Sequence, residues 1–189
     1  LDKQVDGIIA TGKRIDRRLP VDLSDLPVPV VYAFTQGAAD AVTLVSDDAE
    51  GAREATEHLI ALGRRRLVHI TGPESFASVA SRARAFRAAA GADAPVLHGT
   101  WSESWGHEAI AGLWSKALTP DAIFCGNDQI ARGVIDALRE RGVSVPDDVS
   151  VVGFDNWEIV AAATRPPLTT VDMNLKELGR EAGRLILEL

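Results

Sequence analysis

The chain has 189 residues, of which 46% are hydrophobic and 25% charged, enough apolar material for a sizeable core in one large domain or two small ones. Its net charge of −7 opposes a phosphate backbone, and its one cysteine, Cys125, excludes an intrachain disulfide and, with four scattered histidines, leaves no zinc-type ligand cluster. No apolar run reaches the roughly 20 residues a membrane helix needs, and Leu1-Asp2-Lys3-Gln4 lacks the basic start of a secretory signal, so a cytoplasmic, reducing setting and no membrane partner are expected.

The pattern alternates short β-branched runs with longer segments of helical period, the mark of α/β units around a parallel sheet. Val5-Asp6-Gly7-Ile8-Ile9-Ala10 reads as the first strand. Asp47 or Asp48 then caps a helix with Ala52, Ala55, Leu59 and Leu62 on one face, closed by Gly63. Strand Leu67 to Thr71 follows, broken by Gly72-Pro73, and the next helix runs from about Ser78 to Ala90. Val96-Leu97-His98 is a short strand, and a helix follows on Ala109, Ile110, Leu113 and Trp114. Ala122-Ile123-Phe124-Cys125 is too short for a helix and fits a buried strand. Asn127-Asp128 opens a helix ending at Gly142, and Val149 to Phe154 is a further strand. Asn174 starts the last helix, with Glu177 placed to complete a capping box.

Open parallel sheets take ligands beyond the carboxyl ends of their strands, so the polar residues there are the ones to weigh. They are Thr71 and Gly72, Trp101, Asn127 and Asp128, and Asp155 and Asn156, with Ser78 and Arg82 one turn apart in the adjoining helix. Together they offer a carboxylate, a guanidinium, an amide, a hydroxyl and an indole face, the groups that suit a polyhydroxylated ligand. Each has a plainer reading. Asp155-Asn156 makes an ordinary turn, Arg82 a solvated helix residue, Trp101 a rim aromatic, and Asn127 a helix cap. Trp114 reads as core, Cys125 as a small buried hydrophobe, His69 as a satisfied structural histidine and Arg64-Arg65-Arg66 as a solvated turn. His98 and His107 have no partner visible in sequence. No G-x-S-x-G, P-loop or H-E-x-x-H motif is present, so the chain is not expected to be an enzyme, and no cofactor is expected.

The stretch Val145-Pro146-Asp147-Asp148-Val149-Ser150-Val151-Val152-Gly153-Phe154-Asp155-Asn156 resembles the signature of LacI-type transcription regulators. Pro167-Leu168-Thr169-Thr170-Val171, Asp121 to Asp128, His58-Leu59 through Gly63-Arg64-Arg65, and Asp6-Gly7-Ile8-Ile9 resemble further family segments in the same order. The resemblance implies two Rossmann-like parallel-sheet subdomains of the type I periplasmic-binding-protein kind joined by crossover strands. They would be an N-subdomain of residues 1–46 and 166–189 and a C-subdomain of 47–165, with an effector in the cleft between them. It implies further segments as well: a helix-turn-helix headpiece and the opening strands before Leu1, and a last C-subdomain strand beyond Leu189. Carried over position by position, it makes Arg82 and Asp155 the effector clamp, Asn127 an amide contact, Ser78 a small polar contact and Trp101 a cover for one ligand face. Phe34 falls near a lining position of the N-subdomain. Phe76 stands where purine-responsive relatives carry arginine, which turns the expected effector from a nucleoside toward a sugar or related polyol. The resemblance further implies a homodimer, operator DNA as partner through the headpiece, and repression. Sugar-binding proteins of transporters share this fold, which by itself does not separate the two.

Overall fold

The computed structural model describes residues 5–116 and 118–189. The chain forms two compact units: it leaves the first after Asp47, builds the second from Asp48 to Met173, and resumes the first at Asn174.

The first unit holds three parallel strands, β1 (Ile8–Thr11), β2 (Val30–Ala33) and β3 (Val42–Leu44), in the order β1-β2-β3. All three are short, with four, four and three residues, and β2 carries a β-branched pair, Val30-Val31, comparable to Ile8-Ile9 of β1. Helix α6 (Leu175–Glu188) covers this sheet, with Ala182, Leu178, Leu185 and Ile186 packed on Val31 and Ala33. Its start departs from the expected capping box. Asn174 sits in the left-handed region (φ 52) and its side chain caps nothing, while Glu177 pairs with Arg180 at 2.7 Å. In that conformation the asparagine serves as a turn residue instead.

The second unit is built on five parallel strands, β4 (Leu67–Thr71), β5 (Val96–His98), β6 (Ala122–Cys125), β7 (Ser150–Asp155) and β8 (Thr169–Asp172). Their order is β5-β4-β6-β7-β8. Strand β8 corrects the expected boundary at 166. Its pairing with β7, from Val152↔Thr169 to Asp155↔Asp172, keeps residues 169–172 in the second unit. A parallel edge strand is tied by its ladder to the sheet that carries it, so the return comes only after Met173.

Helices α1 (Asp48–Ala61) and α2 (Ala77–Ala90) cover one face, where Leu59 of α1 and Phe86 of α2 share a cluster with Phe124 and Phe154 of the sheet. Helices α3 (Glu103–Ser115) and α4 (Asp128–Glu140) cover the other, where Ile110 of α3 and Ile130 and Leu138 of α4 share a cluster with Ile70 and Ile123 of the sheet. A short α5 (Glu158–Ala161) precedes β8. Successive residues of a strand face opposite ways, and both faces here are covered; hence β4 and β6 are buried at every residue and read in sequence as continuous apolar runs. Alanine-rich α2 is helical on intrinsic preference, and α4 on its Asn127 cap and its stripe of Ile130, Val134, Ala137 and Leu138.

Helices α3 and α4 cross at van der Waals distance because glycines face each other's backbones. A Cβ on Gly133 would collide with the Glu103 carbonyl, and one on Gly106 with that of Ile130. Gly133→Ala is therefore expected to destabilise the chain by about 1–3 kcal/mol through overpacking, read as a lowered midpoint in urea. A change within about 0.5 kcal/mol, typical of surface sites, would refute the close crossing.

Two residues read as bland do more. Arg64 braces the loop before β7, donating to the carbonyls of Pro146 (2.6 Å) and Asp147 and to Ser150 Oγ (2.9 Å), so it is not a purely solvated turn residue. His69 is fully buried, stacked on Phe124 at 4.4 Å, and its Nδ1 bonds the Phe124 carbonyl at 2.9 Å, yet its Nε2 has no partner among the described residues. Burial pulls its pKa down to about 3, so it is neutral in the folded chain. Cys125 is buried in β6, and burial pushes its thiol pKa well up, in keeping with a small apolar role. Trp114 packs half-buried on the α3–α4 side of the core. His107 finds Glu140 at 2.7 Å on the surface.

Candidate functional site

In the second unit the chain runs from β4 outward to β5 and then returns across β4 to β6. Neighbouring strands β4 and β6 therefore send their following loops to opposite faces of the sheet. The carboxyl ends of β4 and β6 flank a topological switch point, where open α/β sheets form a crevice. Most of the expected side chains come together around it.

Arg82 lies on the inner face of α2 and is 5% exposed, which overturns its reading as a solvated residue. Its Nε donates to Asp48 Oδ1 at 2.7 Å and its Nη2 lies 2.6 Å from the same oxygen. Nη1 donates to the Gly126 carbonyl at 2.5 Å and Nη2 reaches Met173 Sδ at 3.9 Å. The guanidinium also lies over the Phe154 ring, 3.5 Å from its centroid. The fork expected to reach outward is thus largely engaged inside the protein. Asp48, its main partner, is 5% exposed and was expected only as a helix cap. Sequence spacing carries no signal for a pair 34 residues apart.

Asp155 ends β7, half-buried, with φ 114, and Asn156 follows with φ 51. Two successive non-glycine residues at positive φ bend the chain sharply, a costly conformation for the aspartate that is met mainly at functional sites. Burial pushes the Asp155 carboxyl up to about 7; the Arg82 charge opposes this, and Asp128 and Asp48 add to it. No hydrogen bond reaches this carboxylate from the described residues. Asn156 Nδ2 donates to Asp172 at 3.1 Å, so the Asp155-Asn156 turn is pinned to β8.

Asn127 caps α4, its Oδ1 accepting from the Ile130 N–H at 2.8 Å. Its Nδ2 has no partner among the described residues, which leaves a donor beside the Arg82–Gly126 contact. Asp128 is fully buried beneath, accepting from Thr170 Oγ1 (2.5 Å) and from the Trp157 N–H (2.7 Å). Burial raises its pKa, and those bonds oppose the rise.

Trp101 lies against Gly72 so closely that a Cβ there would collide with the indole. Phe76, the residue before α2, meets Trp101 edge to face at 5.8 Å, so the two aromatics form one apolar wall over the end of β4. Ser78, half-buried in the first turn of α2, stands one turn before Arg82. Phe34 belongs to the first unit, where it follows β2 with φ 57 and donates its N–H to the Leu44 carbonyl at 2.8 Å. The first unit has a cavity of its own of about 300 Å³, lined by Arg18, Asp22, Ser24, Tyr32 and Gln36 among others. Asp22 there is already bonded to the Ser24 hydroxyl and N–H.

Among the described residues no group of three or more His, Cys, Asp or Glu could hold a metal, and no helix is long and apolar enough to cross a membrane. The groups at the switch point donate, accept and stack: the equipment of a ligand-binding α/β domain. Comparison with known proteins agrees. Residues 56–189 match the family model described as periplasmic binding protein-like domain. Catabolite control protein A of Priestia megaterium is 31% identical over 98% of this chain, which spans 58% of that protein's length. Among solved structures, the complex of the transcriptional regulator CelR with cellobiose superposes with a TM-score of 0.77 at 31% identity, covering 99% of this chain and 60% of that one. A LacI transcriptional regulator from a Rhodococcus species gives 0.81 at 30% identity, covering 98% and 70%. The chain belongs to the periplasmic binding protein-like family, among the ligand-binding domains of LacI-type regulators.

Proposed function

We propose that this chain is the effector-sensing part of a DNA-binding transcription regulator, a repressor, which takes a neutral sugar or related polyol at the carboxyl ends of β4, β6 and β7. The observation that carries the reading is the gathering of Arg82, Asn127, Asp155 and the Trp101–Phe76 wall at the switch point of one sheet. Asp155 accepts from ligand hydroxyls, Asn127 Nδ2 and the remaining Nη1 hydrogen of Arg82 donate, Ser78 adds a hydroxyl, and Trp101 stacks on the ring. The assignment of Phe34 rests on the resemblance alone. Phe76, an apolar side chain where a purine would want a donor, favours a sugar over a nucleoside. A structure of the similar regulator CelR is a complex with cellobiose, which supports the same class.

The effector acts by its differential affinity for two conformations of a homodimer. Operator contact falls to a part of the regulator other than these 189 residues, since a net charge of −7 repels phosphate. The setting is cytoplasmic and the chain performs no catalysis. The relatives named above are transcription regulators, which disfavours a transporter's sugar-binding protein.

The test is a thermal-shift screen of neutral mono- and disaccharides and nucleosides. A sugar hit is expected, with a change in Trp101 fluorescence that is lost in Trp101→Leu. Stabilisation that persists unchanged in Asp155→Asn and Trp101→Leu would show that the site lies elsewhere.

A further inference from the structure

The charges at the switch point do not balance. Asp155 feels one cation, Arg82, and two further carboxylates, Asp48 and Asp128. The cation is not available to a ligand as a net charge. Asp48 lies against its Nε and Nη2, both side chains are almost wholly out of water, and the Phe154 ring covers one face of the guanidinium. An ion pair held this way presents a dipole, whereas a lone arginine would present a full positive charge. Asp128 has both oxygens taken, by Thr170 and by the Trp157 N–H, so it contributes field without offering contacts. Asp155 is then the ionisable group left to the ligand.

We propose that Asp48, by neutralising Arg82 within the fold, makes this site selective for uncharged or cationic hydroxylated ligands and hostile to anionic ones: a neutral sugar or amino sugar in preference to a sugar phosphate or sugar acid. The proposal rests on the reading of this site as the effector site. Its physical basis is the asymmetry of the partners. A hydroxyl or ammonium group donates to Asp155, and the indole and Phe76 rings accept a C–H face or a cation. Once ionised, Asp155 only accepts, so a phosphate or carboxylate meets its charge with the Asp128 carboxylate adding to the field, and among the described residues no cation besides the paired Arg82 acts on Asp155 to offset the repulsion. A repulsive element of this kind discriminates against the wrong ligand beyond what contacts to the right one supply. Asp48, which touches no ligand in this account, is a positioning residue that sets specificity through Arg82.

The experiment is isothermal titration calorimetry at pH 8, where Asp155 is ionised, of the full 189-residue chain with glucose and cellobiose, set against glucosamine, glucose 6-phosphate and cellobionate. Neutral or amino members are expected to bind, with the phosphate and aldonate weaker by about a hundredfold, a gap that narrows as salt is raised. An anionic member binding within about tenfold of its neutral counterpart would overturn the charge selection and leave the polyol reading standing. Absence of binding by every member would overturn the polyol reading and this inference with it. Asp48→Asn separates the residue's role from overall field: releasing the guanidinium should raise the affinity for glucose 6-phosphate relative to glucose by about tenfold or more. An unchanged ratio in the folded variant would remove Asp48 as the determinant. Should that variant not fold, the wild-type order decides: glucosamine should bind at least as well as glucose and far better than glucose 6-phosphate, and the reverse order would likewise overturn the proposal.

Discussion

Replacing Arg82 with alanine should cost the second unit about 3–5 kcal/mol, among the largest losses any single substitution here produces. The arginine is 5% exposed and joins three segments that sequence holds far apart: Asp48 at the start of α1, Gly126 after β6 and Met173 after β8. Truncation leaves the Asp48 carboxylate, itself 5% exposed, buried without its partner, and strips the Gly126 carbonyl of a donor. Breaking a buried pair is costly for that reason, even where the intact pair adds little net stability. A matched double replacement, Arg82→Met with Asp48→Leu, removes both charges and should recover most of the loss. Urea unfolding of the two variants checks this. A single variant within about 1 kcal/mol of wild type would mean that water already solvates Asp48. The consequence for function is direct: binding by Arg82→Ala must be read per folded molecule, or lost stability passes for lost contact.

The same arginine shows how far the sequence could be read. The elements of the second unit are legible because each carries a local signal. Ala122 to Cys125 is a short apolar run, Asn127 caps, and Gly63 and Gly142 take the positive φ that ends α1 and α4. The first unit is fainter: Val30-Val31 carries a β-branched signal as short as that of β1, but Pro29 stands directly before it, and Val42–Leu44 is three residues with no cap or helix signal beside it. For the site, strand ends pointed to Asn127, Trp101 and Asp155. What local pattern cannot show is who partners whom. The Asp48–Arg82 pair spans 34 residues and the Asp128–Thr170 bond 42, so the electrostatic character of the wall was hidden although its members were in view. Asn174 failed as a cap for a related reason: an N-x-x-E spacing describes a capacity, and the left-handed backbone of Asn174 uses the residue as a turn.

Asp155 should trade stability for binding in a way that pH exposes. Burial raises its carboxyl to about 7, against roughly 3.9 in an unfolded chain, with Arg82 opposing the rise and Asp128 and Asp48 adding to it. Between these values the folded chain holds a proton that the unfolded chain has released. More protons bound in the folded state means that this group's contribution to stability falls as pH rises through about 4 to 7, and the cost is complete above 7. The gap sets a ceiling of roughly 4 kcal/mol, and partial solvent access brings the expected figure to about 1–3 kcal/mol. Asp155→Asn should therefore stabilise the chain by that amount near pH 8 and scarcely at all near pH 4, measured by urea midpoints across the range. Binding should move the opposite way. A ligand hydroxyl donates to the ionised carboxylate, so wild-type affinity should fall as pH drops below about 7, approaching tenfold per pH unit, and the asparagine variant should bind weakly with a flat profile. A wild-type affinity independent of pH between about 5 and 8 would mean that the ligand does not meet Asp155 as a carboxylate, while a variant no more stable than wild type near pH 8 would mean that water reaches the group and its burial is not what sets its charge.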